Sequence, residues 1–195
     1  MCRDLRSGAA ALLVLTVVLG FGYSLAITGI SQVLFGDRAD GSLVRSDGEV
    51  VGSKLIGQGF AGDPAYFQSR PSATGYAGDT TYFGNLGPNS RKLARTLERR
   101  MDAYLRREQP HDPALTAADV PPDAVMASAS GVDPQISPAN ARIQAYRVAA
   151  QRRMPLGDVL ALIDSHTSGR ALGFLGEPGV NVLELNLALD AMEPR

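Results

Sequence analysis

The stretch SGAAALLVLTVVLGFGYSLAITGISQVLFG, residues 7–36, contains no Asp, Glu, Lys, Arg or His. Crossing a bilayer core of about 30 Å takes roughly 20 mostly apolar residues in a helix, and this run exceeds that. In lipid the backbone groups must pair within the segment, so the run predicts one α-helix. Everything after Asp37 is too polar to follow it. The fold class expected is therefore a single N-terminal transmembrane α-helix followed by one mixed α+β soluble domain. Residues 1–6 form the short N-terminus, 7–36 the transmembrane helix and 37–195 the domain.

Two alternatives to a retained anchor exist. A cleaved signal peptide would use the basic Arg3 and Arg6 and the small residues of Ser24-Leu25-Ala26, with cleavage after Ala26. A signal core is only about 7–15 residues long. Here the apolar pattern runs on through Ile27, Ile30, Val33, Leu34 and Phe35, which favours retention. A lipoprotein is excluded, because Cys2 precedes the apolar run. Orientation follows from the basic flank: Arg3 and Arg6 on one side, a mixed Asp37, Arg38 and Asp40 on the other. The positive-inside rule counts only Lys and Arg, so the N-terminus is expected in the cytoplasm and the domain outside. Gly20, Gly22 and Gly29 could mark a close-packing face but lack the G-x-x-x-G spacing.

Composition narrows the partners. With 195 residues and a net charge of −1, nothing global points to nucleic acid. There is no Trp and only 6% aromatics, so a base-stacking platform is also unsupported. A single cysteine, ahead of the anchor, leaves the domain without a disulfide or a thiolate metal site.

Along the domain, Ser46-Asp47-Gly48 between β-compatible runs predicts a hairpin. Residues 57–84 read as a long ordered loop held by Tyr66, Phe67, Tyr76, Tyr82 and Phe83. RKLARTLERRMDAYLRRE, residues 91–108, reads as a helix capped by Asn89 or Ser90. Leu93, Leu97, Met101, Tyr104 and Leu105 form its buried stripe. Its arginines, with Glu98, Asp102 and Glu108, form a solvated face laced with i,i+4 pairs. Residues 109–122 are a proline-broken linker. Ser137-Pro138 starts another helix, whose buried side is Ile143, Tyr146, Val148 and the alanines. Pro155 opens a further helix. VNVLELNLALD, residues 180–190, alternates strictly and reads as a half-buried strand.

Catalytic signals are scarce. Gly57-Gln58-Gly59-Phe60-Ala61-Gly62 matches G-x-G-x-x-G, but Asp63-Pro64 and an irregular loop follow where a phosphate-binding helix must begin. His111 and His166 are the two histidines. Asp164, Ser165 and His166 are consecutive, which is not how a triad meets, and His166 suits a helix C-terminus. No cluster has metal-ligand spacing. No catalytic residue and no metal site is expected.

Three long segments stand in order: LIGQGF (Leu55–Phe60) with YFQSRPSATGY (Tyr66–Tyr76), then ASASGVDPQISPANARIQAYRVA (Ala127–Ala149), then LGEPGVNVLELNLALD (Leu175–Asp190). Together they resemble the C subunit of the Kdp-type potassium-transporting ATPase of bacteria and archaea. The first contributes Gln58, Phe60, Tyr66, Phe67, Arg70, Pro71 and Ser72 as interface candidates. The second contributes Ser130, Gly131, Asp133 and Pro138, and the third Asn181, Glu184 and Asn186. Asn85 also matches, although the preceding Asp79–Gly84 is bulkier than the usual Ser/Gly-rich stretch.

The resemblance implies a non-catalytic accessory subunit in the bacterial or archaeal inner membrane. Its implied partners are a channel-like potassium-binding subunit and a P-type ATPase subunit, with K+ as cargo and ATP acting through the complex. It carries two roles: a catalytic chaperone raising the ATPase subunit's affinity for ATP, or an external cap over the potassium entrance. Gln144 matches a family glutamine discussed for nucleotide. Its other reading is a polar residue on the exposed side of a helix. The contrasting hypothesis is an anchored or secreted extracytoplasmic ligand-binding domain.

Overall fold

The structure, a computed structural model, describes residues 2–60, 62–80 and 84–192. The chain divides into two compact units, residues 1–53 and 54–195.

The first unit opens with a continuous helix, long and apolar enough from Arg3 to Ala39 to cross a membrane. It comprises α1 (Cys2–Leu15), a wider π-helical stretch (Thr16–Tyr23) and α2 (Ser24–Ala39). No residue from Arg3 to Ala39 is buried within the chain. Its polar side chains turn back on the helix, as Thr28 Oγ1 donates to the Ser24 carbonyl at 2.9 Å. That local pairing is what lets hydroxyls sit in an apolar span. α2 is kinked at Phe35 (φ −141°, ψ 40°), beside Gly36. The hairpin follows: β1 (Leu43–Ser46) pairs antiparallel with β2 (Glu49–Ser53). Asp47 (φ 50°) and Gly48 (φ 86°) both take the left-handed conformation of the type I′ turn that the Asp-Gly pair predicts.

In the second unit, α3 (Arg91–Glu108) starts where Ser90 Oγ accepts from Leu93 N–H. β3 (Gln135–Ile136) precedes α4 (Pro138–Arg152), capped by Ser137 with Pro138 at the first position. α5 (Leu156–Ser165) leads to β4 (Thr167–Ser168), and β5 (Gly179–Asn181) to α6 (Val182–Met192). A small antiparallel sheet has the order β3-β5-β4. The main core joins Phe67, Ile136, Ala145, Val148, Val159, Ile163, Val180, Leu185 and Leu189. Ala141, Ala145 and Ala149 give α4 a small-residue face, and α5 packs against that helix. A second cluster gathers Tyr104, Leu115, Val120, Ala124 and Val125 beneath α3.

Four expectations need correction. Residues 182–192 are helical, not a strand; only Gly179–Asn181 extends. The alternating leucines satisfy both periods. Leu and Ala favour helix over strand, and Asn181 Oδ1 accepts from Glu184 N–H at 3.1 Å, an N-cap that starts it. Tyr146 is exposed; the buried side of α4 is instead Ala141, Gln144, Ala145, Arg147, Val148 and Ala149. Gln144 is therefore not on an exposed face. Glu108, grouped with the solvated acids of α3, is 1% exposed. It pairs with Arg107 and Arg147 rather than along i,i+4.

Candidate functional site

The three signature segments converge on α4, and what joins them is a seam of buried polar side chains. α4 carries Asn140, Gln144 and Arg147 at positions i, i+4 and i+7, on one face, all 1% exposed. Arg147 Nε donates to both carboxylate oxygens of Glu108, at 3.2 and 3.0 Å. Its Nη1 donates to the carbonyls of Pro64 and Tyr66, and its Nη2 to Gln144 Oε1 at 3.0 Å. Burial pulls the Arg147 pKa below its ordinary value, while the Glu108 carboxylate opposes that shift. A buried ion pair of this kind is tolerated because carbonyls and an amide take up the remaining donors.

Gln144 has no spare capacity. Its Oε1 accepts from Gln68 N–H (2.7 Å) and from Arg147, and its Nε2 donates to the Gln68 carbonyl (3.1 Å) and to Asn140 Oδ1 (3.0 Å). Asn186 on α6 does the same for the preceding residue. Its Oδ1 accepts from Phe67 N–H at 2.9 Å and its Nδ2 donates to the Phe67 carbonyl at 3.0 Å. The N–H and carbonyl of two consecutive residues, Phe67 and Gln68, are thus paired by one side-chain amide each, with no neighbouring strand among the described residues. Buried backbone groups must pair, and helix side chains supply what a sheet would otherwise provide. The Phe67 ring, wholly buried, anchors the strap in the core.

The seam continues beyond Asn140. Tyr104 Oη donates to Asn140 Oδ1 at 2.9 Å, and Asn140 Nδ2 donates to Asp123 at 2.9 Å. Asp123 also accepts from Ser137 N–H and Oγ, at 2.8 and 2.7 Å. Burial, followed by the Glu108 charge, drives the Tyr104 phenol far above its ordinary pKa, so it stays a donor. At the other end of α4, Arg152 lies 4.6 Å from the Tyr66 ring centre. It pairs with Asp190 at 2.7 Å and donates to the Ala65 carbonyl at 2.7 Å. Tyr66 Oη also reaches Asp190, at 3.3 Å, and its ring stacks on Phe60.

The first and second signatures also close directly on each other. Gly57 N–H donates to the Val132 carbonyl at 2.7 Å, and a Cβ on Gly57 would lie 2.3 Å from the Asp133 carbonyl oxygen. A Cβ on Gly59 would lie 2.9 Å from the Tyr76 ring. These glycines are required by close packing, and among the described residues no helix opens beside them to receive a phosphate. Ser69 Oγ donates to the Gln58 carbonyl, Arg70 pairs with Asp133 at 2.7 Å, and Ser72 Oγ donates to the Gly131 carbonyl at 2.6 Å. Pro71 lines a shallow cleft with Tyr76, Arg100 and Arg107. Asn181 Nδ2 donates to the Lys54 carbonyl and Glu184 pairs with Lys54 at 2.6 Å, tying in the third signature. Pro138 begins α4. Ser130 and Asn85 are exposed, Ser130 Oγ accepting from Val132 N–H at 3.2 Å within its own segment. Thr81, Tyr82 and Phe83 lie outside the described residues.

Sequence reading missed Glu108, Asp123, Asn140, Arg147 and Arg152. Their trace was the polar set 140, 144 and 147 on one face of an alanine-rich helix, a pattern that marks a buried polar seam once the helix is known to be central. A cleft of about 590 Å³ borders α3. Asn85, Lys92, Thr96, Arg100 and Ser128 line it, with no Asp, Glu, His or Cys among its described lining residues. Among the described residues no three His, Cys, Asp or Glu side chains group to hold a metal ion.

Residues 5–191 match the family described as KdpC, K+-transporting ATPase, c chain. The potassium-transporting ATPase KdpC subunit of Koribacter versatilis is 44% identical over 196 residues, covering 100% of this chain and 97% of that one. The KdpC subunit of Mycobacterium tuberculosis is 47% identical, over 98% and 100% of the two chains. That of Sorangium cellulosum is 51% identical, over 97% and 98%. With the signature segments packed together along α4 and the match running almost end to end, the chain belongs to the KdpC family, the C chains of K+-transporting ATPases.

Proposed function

We propose that this chain is a non-catalytic accessory subunit whose domain caps an ATP-driven potassium pump from outside the cytoplasm. The observation that carries the reading is the state of Gln144, the residue that resemblance connects to nucleotide. Its amide is buried, and both its acceptor and its donor groups are committed to Gln68, Asn140 and Arg147. A nucleotide contact would have to break that set and leave the part-buried N–H and carbonyl of Gln68 without their partner, at a cost of about 1–3 kcal/mol for each group. In this reading Gln144 is a strap-holder, and the signature residues keep a rigid body in shape for docking. The alternative role, raising the ATPase subunit's affinity for ATP, would need a nucleotide site built elsewhere.

Arg3 and Arg6 on the N-terminal flank support a cytoplasmic N-terminus. ATP is then consumed by a P-type ATPase partner on the other side of the membrane, and potassium is selected by a channel-like partner beneath the cap. The test is thiol labelling in intact cells, with Cys2→Ser removing the native thiol and Ala118→Cys placing one on the exposed 116–119 turn. Labelling by a membrane-impermeant maleimide without permeabilisation is expected. Labelling only after permeabilisation would place the domain inside and return the nucleotide role to first place.

A further inference from the structure

Between β4 and β5 the chain forms a small self-closed hairpin. Ala171 N–H donates to the Leu175 carbonyl at 2.8 Å, and Leu175 N–H donates back to the Ala171 carbonyl at 2.9 Å. Leu172 (φ 54°) and Gly173 (φ 81°) make the left-handed pair at its turn. An Arg170–Glu177 ion pair of 2.7 Å closes its base. The tip is thus fixed by its own backbone, and it is apolar. Leu172 is 83% exposed, Phe174 70% and Leu175 50%. Outside the membrane helix, no other stretch of four described residues exposes three large hydrophobic side chains.

A leucine held at positive φ, with three apolar side chains presented to water, gains nothing for the isolated fold. Three occupants could cover it. A lipid surface is disfavoured by charge. Segments that bind membranes surround their apolar residues with Lys and Arg, whereas residues 169–178 hold one Arg and one Glu, already paired. A second copy is disfavoured by size. Three side chains supply roughly 400–500 Å² at most, well under the roughly 800 Å² per partner of a stable interface. What a rigid, neutral, three-residue knob suits is one apolar groove inside a larger contact, where low ordering cost favours affinity.

We propose that the 171–175 hairpin is a knob that inserts into an apolar groove on another subunit of the potassium pump. The inference rests on the reading of the chain as a pump subunit. Its test co-expresses the full chain, tagged, with the rest of the complex and measures co-purification in mild detergent. Leu172→Ser with Phe174→Ser should recover at least tenfold less of the partner subunits, with an unchanged denaturation midpoint for the chain itself. Equal recovery with wild type would overturn the knob while leaving the pump reading standing. Failure of the wild-type chain to recover any ATPase subunit would overturn both.

The second measurement uses the single cysteine of the chain. With Cys2→Ser, Phe174→Cys labelled with bimane before assembly places one fluorophore at the tip, whose emission should shift to the blue in the assembled complex. In vesicles of phosphatidylethanolamine and phosphatidylglycerol holding the chain alone, it should stay solvent-like. A blue shift in those vesicles would assign the tip to lipid and overturn the proposal.

Discussion

Residues 64–68 and residues 171–175 are both irregular backbone, yet they meet the same physical demand in opposite ways. The first lies against α4 and α6, buries Phe67 completely while Pro64 stays exposed, and has its backbone groups held by Gln144, Asn186 and Arg147 from those two helices. The second pairs its own backbone across a tight turn and leaves Leu172 and Phe174 in water. A segment whose hydrogen bonds come from elsewhere is part of the scaffold, because moving it strands donors and acceptors in the core. A segment that satisfies itself is free to use its side chains on something else. The comparison separates the residues that keep this domain folded from those available for docking.

The sharpest way to break the comparison is at the centre of the first region. Glu108→Ala leaves the Arg147 guanidinium buried without its carboxylate and should cost about 3–5 kcal/mol, read as a fall in ΔG from urea denaturation of the full chain in detergent. Arg147→Lys should rescue little, since an ammonium lacks the planar fork that reaches Glu108, Gln144 and two carbonyls together. Next come the amide clamps. Gln144→Ala and Asn186→Ala each leave the N–H and carbonyl of one strap residue unpaired, and each should cost roughly 2–4 kcal/mol. Because the two residues are adjacent, the double variant should cost less than the sum; strict additivity would mean that Phe67 and Gln68 do not move as one strap.

A smaller effect is expected at Tyr104, whose phenol is pushed up by burial and by Glu108. The unfolded chain loses that proton near pH 10 while the folded one keeps it. The unfolded state then binds fewer protons, and stability falls as pH rises above about 10. Tyr104→Phe should flatten that alkaline limb at a neutral-pH cost of about 1 kcal/mol, checked by denaturation midpoints between pH 8 and 11. The smallest effect belongs to the second region. Leu172→Ser should change stability by no more than about 0.5 kcal/mol, and a larger loss would show that the hairpin belongs to the scaffold after all.

Legibility followed locality. The apolar run, the Asp-Gly hairpin and the Ser90 and Ser137 caps were readable because each is decided within a few neighbouring residues. Leu183, Leu185, Leu187 and Leu189 misled because alternation and a helical stripe coincide over so short a run. Only packing of Leu185, Asn186 and Leu189 against the core decides between them. Gln144 could not be placed from sequence either. A glutamine on a helix looks solvated until the strap that it holds, 76 residues away in the chain, is seen beside it.

By itself, then, the sequence determined a helix long and apolar enough to cross a membrane, a hairpin, the starts of two domain helices and membership of the KdpC family, all of them properties of contiguous residues. Tertiary structure alone decided that Asn140, Gln144, Arg147 and Glu108 form a buried seam, and that Phe67–Gln68 is clamped by side chains in place of a strand. It also decided that Leu172, Phe174 and Leu175 remain uncovered. The reason is that burial and hydrogen-bond satisfaction are set by which distant segments meet. A polar or apolar residue acquires its role only when its neighbours in space are known.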